Sequence, residues 1–199
     1  MTLLGPCVHH TVMSGFLFAL LAAMVAGFGA RDQMLVAALA HRHSGQQGGW
    51  PGARPAVLLV ALMTALGTAA VAGWAGVTLA PLLVPRARVL LVALALGLAA
   101  LELMFIRPGR RPEEPTASLG AFAIVLVAQQ LTDAARLLVF VMAASSAVPQ
   151  LAVVGGMLGG AATVAAGWLA GPGLARLPLV GIRRALGLLL AAVAVWLAL

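Results

Sequence analysis

The sequence predicts an all-α integral membrane protein, with six transmembrane helices arranged as two inverted three-helix repeats. Three observations carry that expectation. Hydrophobic residues make up 63% of the chain and charged residues 9%, far below the roughly 25% charged of an ordinary soluble domain. Six apolar segments of helical length are separated by polar or Pro/Gly-rich connections. The tripeptide Ala-Gly-Trp recurs at 72–74 and 166–168, within the second and the fifth of those segments.

The segments run, in order, over approximately 12–40, 56–80, 87–106, 118–144, 150–171 and 181–199. Each is close to or above the roughly 20 residues that cross a bilayer as a helix. None alternates with the period of two of a barrel strand. The connection 41–55 is a solvated loop, 81–88 a proline-bounded turn, and 171–184 carries Pro172 and Pro178 as helix breaks. The most hydrophilic stretch, 107–116, is the natural midpoint linker. The expected division is therefore a first repeat over 1–106, a cytoplasmic linker over 107–117 and a second repeat over 118–199. Polar residues interrupt the first and fourth segments at matching places, 26–33 against 128–135. Each Ala-Gly-Trp helix is followed by a turn with proline and arginine and then a last apolar helix. Three spans per repeat is an odd number, so the halves enter the membrane in opposite directions. In transporters that architecture puts the binding site near the midplane, where the repeats meet.

The net charge of +7 comes from twelve arginines and no lysines. Arg42, Arg54, Arg107, Arg110, Arg111, Arg176, Arg183 and Arg184 follow the first, third and fifth segments, whereas Arg86 and Arg88 lie on the other side. The positive-inside rule then puts the first group in the cytoplasm and both termini outside. No basic face with interleaved aromatics exists, so nucleic acid is not an expected partner. The alanine- and arginine-rich usage fits a bacterial inner membrane. The lone Cys7 excludes an internal disulfide and a cysteine metal cluster. No Lys or Arg precedes the first apolar run, so it does not read as a signal peptide.

Ionisable residues within a span are expensive and mark a functional site by default. On the first segment these are Arg31 and Asp32, with Gln33 beside them, just after Gly27 and Gly29. The two glycines let another backbone approach or let the helix loosen. On the fourth segment Gln129, Asp133 and Arg136 fall at i, i+4 and i+7, one stripe of a continuous helix, with Thr132 beside it. Carboxylate and amide oxygens suit hard divalent cations, and a buried carboxyl also exchanges protons. The candidate ion- or substrate-binding residues are Asp32, Gln33, Gln129, Thr132 and Asp133. Asp32 and Asp133 are the candidate metal ligands, and Arg31 and Arg136 the ion-pairing or gating cations. The competing structural reading pairs Arg31 with Asp133 and Asp32 with Arg136, which fixes helix register and moves nothing. Glu102 has two readings, a place in the ion path or a pairing with Arg107, and the pairing is favoured. Gly155-Gly156 and Gly159-Gly160 are expected to serve close helix packing, and Trp74 and Trp168 repeat packing or interface anchoring. No nucleophile–base arrangement or nucleotide fingerprint appears, so the chain is not expected to be an enzyme.

The two-repeat pattern resembles the transmembrane protein 165/Gdt-type cation exchanger family, whose halves each carry E-x-G-D-(K/R)-(T/S)-Q in an apolar helix. Residues 26–35, running on into an Ala/Leu helix, keep that spacing, and Gly29, Arg31 and Gln33 match in type. Gly27 stands at the family's glutamate, Ala30 at its aspartate and Asp32 at its Thr/Ser. In the second copy Gln129 stands at the glutamate, Leu131 at the glycine, Thr132 at the aspartate and Asp133 at the basic residue. The resemblance implies a six-helix exchanger of Ca²⁺ or Mn²⁺ against protons, with the acidic ligands displaced to Asp32 and Asp133. It implies a transported divalent cation and no permanently bound cofactor. The partners are then the lipid bilayer, the ion and protons, and a homodimer is allowed. The alternatives from other classes are a small-solute or anion exporter that uses Arg31 and Arg136, and a non-transporting membrane scaffold.

Overall fold

The computed structural model describes residues 5–42, 53–105 and 118–199. Its elements are α1 (Gly5–Gly27), α2 (Arg31–Arg42), α3 (Ala53–Leu79), α4 (Pro85–Phe105), α5 (Leu119–Leu131), α6 (Ala134–Ser145), α7 (Pro149–Ala170) and α8 (Leu179–Ala198). Short 3-10 turns, Ala80–Leu82 and Gly171–Arg176, precede α4 and α8. No strand occurs among the described residues. The expected linker 107–117 lies outside them, and so does most of the 41–55 loop.

Local chemistry sets these boundaries. Pro85 and Pro149 open α4 and α7, where the missing amide is unneeded and φ is already helical. Ser118 caps α5 by accepting a hydrogen bond from the Ala121 amide at 3.1 Å. Gly171, at φ +50, ends α7.

Four helices are long and apolar enough to cross a membrane, and six spans result if each bent pair counts as one. The bends correct the expectation of continuous first and fourth helices. α1 and α2 meet at 68°, and α5 and α6 at 58°. In the first pair Gly29 takes φ +66, a left-handed conformation that only glycine adopts freely. In the second, α5 ends as Thr132 Oγ1 turns back onto the carbonyls of Ala128 and Gln129. Asp133 then becomes extended (φ −84, ψ 141) as the N-cap of α6.

α7 is the spine of the bundle, and small residues let its neighbours come close. A Cβ at Gly155 would run into the Phe16 carbonyl, and one at Gly159 would lie 2.6 Å from the Leu20 carbonyl, so this face seats α1. Gly156 and Gly160, one position on, face Val139 and Arg136 of α6. The packing role expected of these glycines holds. In an apolar solvent no hydrophobic drive brings helices together, so close backbone contact must do it. α4 lies along α8, where Gly187 meets Met104 and the Ala100 carbonyl. Leu96, Leu103, Leu138 and Leu190 fill the core between α4, α6 and α8.

The outer faces carry Leu59, Met63, Leu98, Ile124 and Trp196 exposed, an apolar surface compatible with a multi-pass membrane protein. The two repeated tryptophans differ. Trp74 is exposed, whereas Trp168 packs on the cluster around Leu35 and Val164.

Gly155→Val is therefore expected to lower stability by about 1–3 kcal/mol through overpacking against α1. Gly67→Ala, where a Cβ meets nothing, should be neutral or stabilise by up to about 1 kcal/mol. Thermal unfolding of both variants in one detergent compares them directly.

Candidate functional site

The two helix breaks lie side by side and enclose a cavity of about 370 Å³ lined by Arg31, Asp32, Glu102, Ala128, Gln129, Thr132 and Asp133. Arg31 is exposed at its edge, and Asp32 is buried. The break between α5 and α6 divides the expected stripe on the fourth segment. Gln129 stays in the last turn of α5, Asp133 caps α6, and Arg136 points elsewhere. Of the expected site residues, Arg31, Asp32, Gln129, Thr132 and Asp133 share the cavity, and Gln33 and Arg136 do not line it.

Gln33 serves the first break. Its Oε1 accepts from the Gly29 amide at 2.7 Å, and its Nε2 donates to the Thr163 carbonyl on α7 at 2.9 Å. Gly167 makes room, since a Cβ there would lie 2.7 Å from Gln33 Cγ. Gln33 thus bridges α2 and α7 and does not line the cavity.

Arg136 has a comparable role on the other side. Its Nε donates to Thr68 Oγ1 at 2.9 Å and its Nη2 to the Ala65 carbonyl at 3.4 Å, both on α3. Thr68 also bonds Gln130 Oε1 at 3.0 Å, and Gln130 Nε2 donates to Asp32 Oδ2 at 3.2 Å. The expected Asp32–Arg136 pair is therefore relayed through Thr68 and Gln130. The second oxygen of Asp32 accepts from the Gln33 amide at 2.7 Å. That holds a negative charge at the N-terminus of α2, where the helix dipole favours it.

Glu102, whose expected partner Arg107 lies outside the described residues, has a partner at the second break. It reaches inward from α4, and its Oε2 accepts from the Ala134 amide at 2.9 Å, at the N-terminus of α6. Its carboxyl lines the same cavity as that of Asp133. Asp133 Oδ1 is buried with no partner. Arg183, counted from the sequence among the loop arginines, is 2% exposed on α8 and donates to the Phe28 carbonyl at 2.8 Å.

Three carboxyls, Asp32, Glu102 and Asp133, thus reach one cavity from α2, α4 and the second break. Among the described residues no group of three or more His, Cys, Asp or Glu is arranged to hold a metal ion. Sequence reasoning passed over Gln130, Thr68 and Arg183 as site residues. The adjacent glutamines 129 and 130 were the available signal, because neighbouring helical positions face different surroundings.

Thr68→Val would strip a partner from both Arg136 Nε and Gln130 Oε1. An unsatisfied buried polar group costs about 1–3 kcal/mol, so this variant should be destabilised by at least that much. Thr68→Ser, which keeps the hydroxyl, should stay close to wild type. Denaturant unfolding of the two in the same detergent checks the relay.

No family model, curated protein or solved structure matches the chain, so the chemistry of the site rests on its own residues.

Proposed function

We propose that the protein is a secondary transporter that exchanges a small cation, with Mn²⁺ or Ca²⁺ as the first candidates, against protons at the cavity between the two bent helix pairs. The observation that carries this reading is the cavity shared by the Asp32, Glu102 and Asp133 carboxyls, with Asp133 Oδ1 buried and partnerless. Carboxyls brought together in one site retain a proton, because like charges that close cannot all ionise. An arriving cation competes for the same oxygens, so the site trades one for the other. Oxygen donors of this kind suit hard cations.

Inverted repeats are supported by reciprocal contacts. Gln33 of the first half reaches α7 of the second, and Arg136 of the second half reaches α3 of the first. Arg183 of α8 serves the first break, and Glu102 of α4 serves the second. Discontinuous helices near the midplane are the usual site formers of such transporters. The arginine distribution favours cytoplasmic odd-numbered connections and outward termini, in a cell inner membrane.

The anion-exporter alternative loses support from Arg136, whose guanidinium is committed to Thr68 and the Ala65 carbonyl.

Liposomes loaded with a divalent-cation dye test the proposal under an imposed pH gradient. Proton-dependent Mn²⁺ or Ca²⁺ entry is expected with wild type. Asp133→Asn and Glu102→Gln should each bring the flux down to that of protein-free vesicles. A folded, oriented wild type that carries neither ion would sink the divalent exchanger.

A further inference from the structure

Arg183 is a buried cation that the exchange chemistry does not use, and it lies against the first helix break. Its Nη1 donates to the Phe28 carbonyl at 2.8 Å. Phe28 follows the last residue of α1, so this carbonyl stands at the negative end of the helix, where a cation is favoured. The aliphatic part of the side chain covers Gly29. A Cβ at Gly29 would lie 3.2 Å from Arg183 Cδ, on a backbone already at φ +66. Arg183 Nε is buried and has no hydrogen-bond partner.

The charges that act on this guanidinium come from three other elements. Glu102 on α4 and Asp133 at the second break attract it, and Arg31 on α2 repels it. On its own stretch Arg184 and Arg176 are exposed. Arg183 therefore belongs to two sites at once. It is bonded to the backbone of one break and electrostatically held by the carboxyls beside the other.

We infer that Arg183 is a positioning residue that ties the α1–α2 break to the charge in the cavity. The carboxyls keep the guanidinium in place, and the guanidinium holds the Phe28 carbonyl. A divalent cation that replaces the proton on those carboxyls neutralises them and so cancels the attraction. The guanidinium then withdraws and the break loosens. The transport reading enters only in naming the cation that arrives.

The test reads the break itself. In the full-length protein with Cys7→Ala, Ala30→Cys puts a single thiol in the break, at a position 4% exposed. Its maleimide-labelling rate is followed in nanodiscs. The otherwise unaltered protein should label slowly, and several-fold faster with saturating Mn²⁺ or with Glu102→Gln. Arg183→Gln should label fast and be indifferent to Mn²⁺. Arg183→Lys, which keeps the charge, should restore part of the slow rate and its Mn²⁺ response. It carries the test if the glutamine variant does not fold, and slow labelling of the lysine variant that responds to neither Mn²⁺ nor Glu102→Gln then overturns the inference. Labelling of Arg183→Gln at the parent rate overturns it too, and so does Mn²⁺ acceleration that persists without the arginine. If Mn²⁺ does nothing to the parent while Glu102→Gln and Arg183→Gln both accelerate labelling, the latch stands and the divalent cargo falls.

Discussion

A helix broken within an apolar bundle strands backbone amides and carbonyls where no water can reach them. Each unmet group costs several kcal/mol in hydrocarbon, so irregular backbone survives there only when the protein itself supplies partners. This fold has two such breaks, and polar side chains, some from other parts of the chain, meet them. Gln33 meets the Gly29 amide, Arg183 the Phe28 carbonyl and Glu102 the Ala134 amide. The charges are sorted by helix end as the macrodipole requires, a cation at the end of α1 and carboxylates at the starts of α2 and α6.

Servicing the breaks from other helices ties the site to the packing. Gln33 needs the gap at Gly167, and Arg136 lies against Gly160. One helix, α7, therefore provides both the small-residue surface for α1 and the recesses that receive the struts of α2 and α6. The relay from Arg136 through Thr68 and Gln130 to Asp32 links α6, α3, α5 and α2. A change at the cavity is consequently felt by the helices that frame it, because the polar groups involved have no solvent to turn to.

Much of the framework was legible in the sequence. Proline and glycine marked where α4, α7 and α8 begin, and the apolar segments agree with the observed helices to within three residues, except that α1 begins seven residues before the first segment. The first and fourth segments were singled out by their ionisable residues, and these are the two that break. The breaks themselves were less legible. Gly27 and Gly29 hinted at one, but Thr132 and Asp133 are compatible with a continuous helix. Periodicity alone therefore gave a stripe of Gln129, Asp133 and Arg136 that the bend takes apart. Arg183 was misjudged because its place in the chain, beside a turn rich in arginine, suggested a topological role.

By itself, then, the sequence determined the apolar all-helical class, the helical segments and which two of them carry the polar residues. Each of these follows from composition and local pattern, since apolar length and turn residues act over short stretches of chain. Only the tertiary structure decided what the polar residues touch. Whether Asp32 meets an arginine or a glutamine, and whether Glu102 faces a loop or a helix end, depends on residues tens of positions away being brought within 3 Å or so. No local pattern encodes that distance.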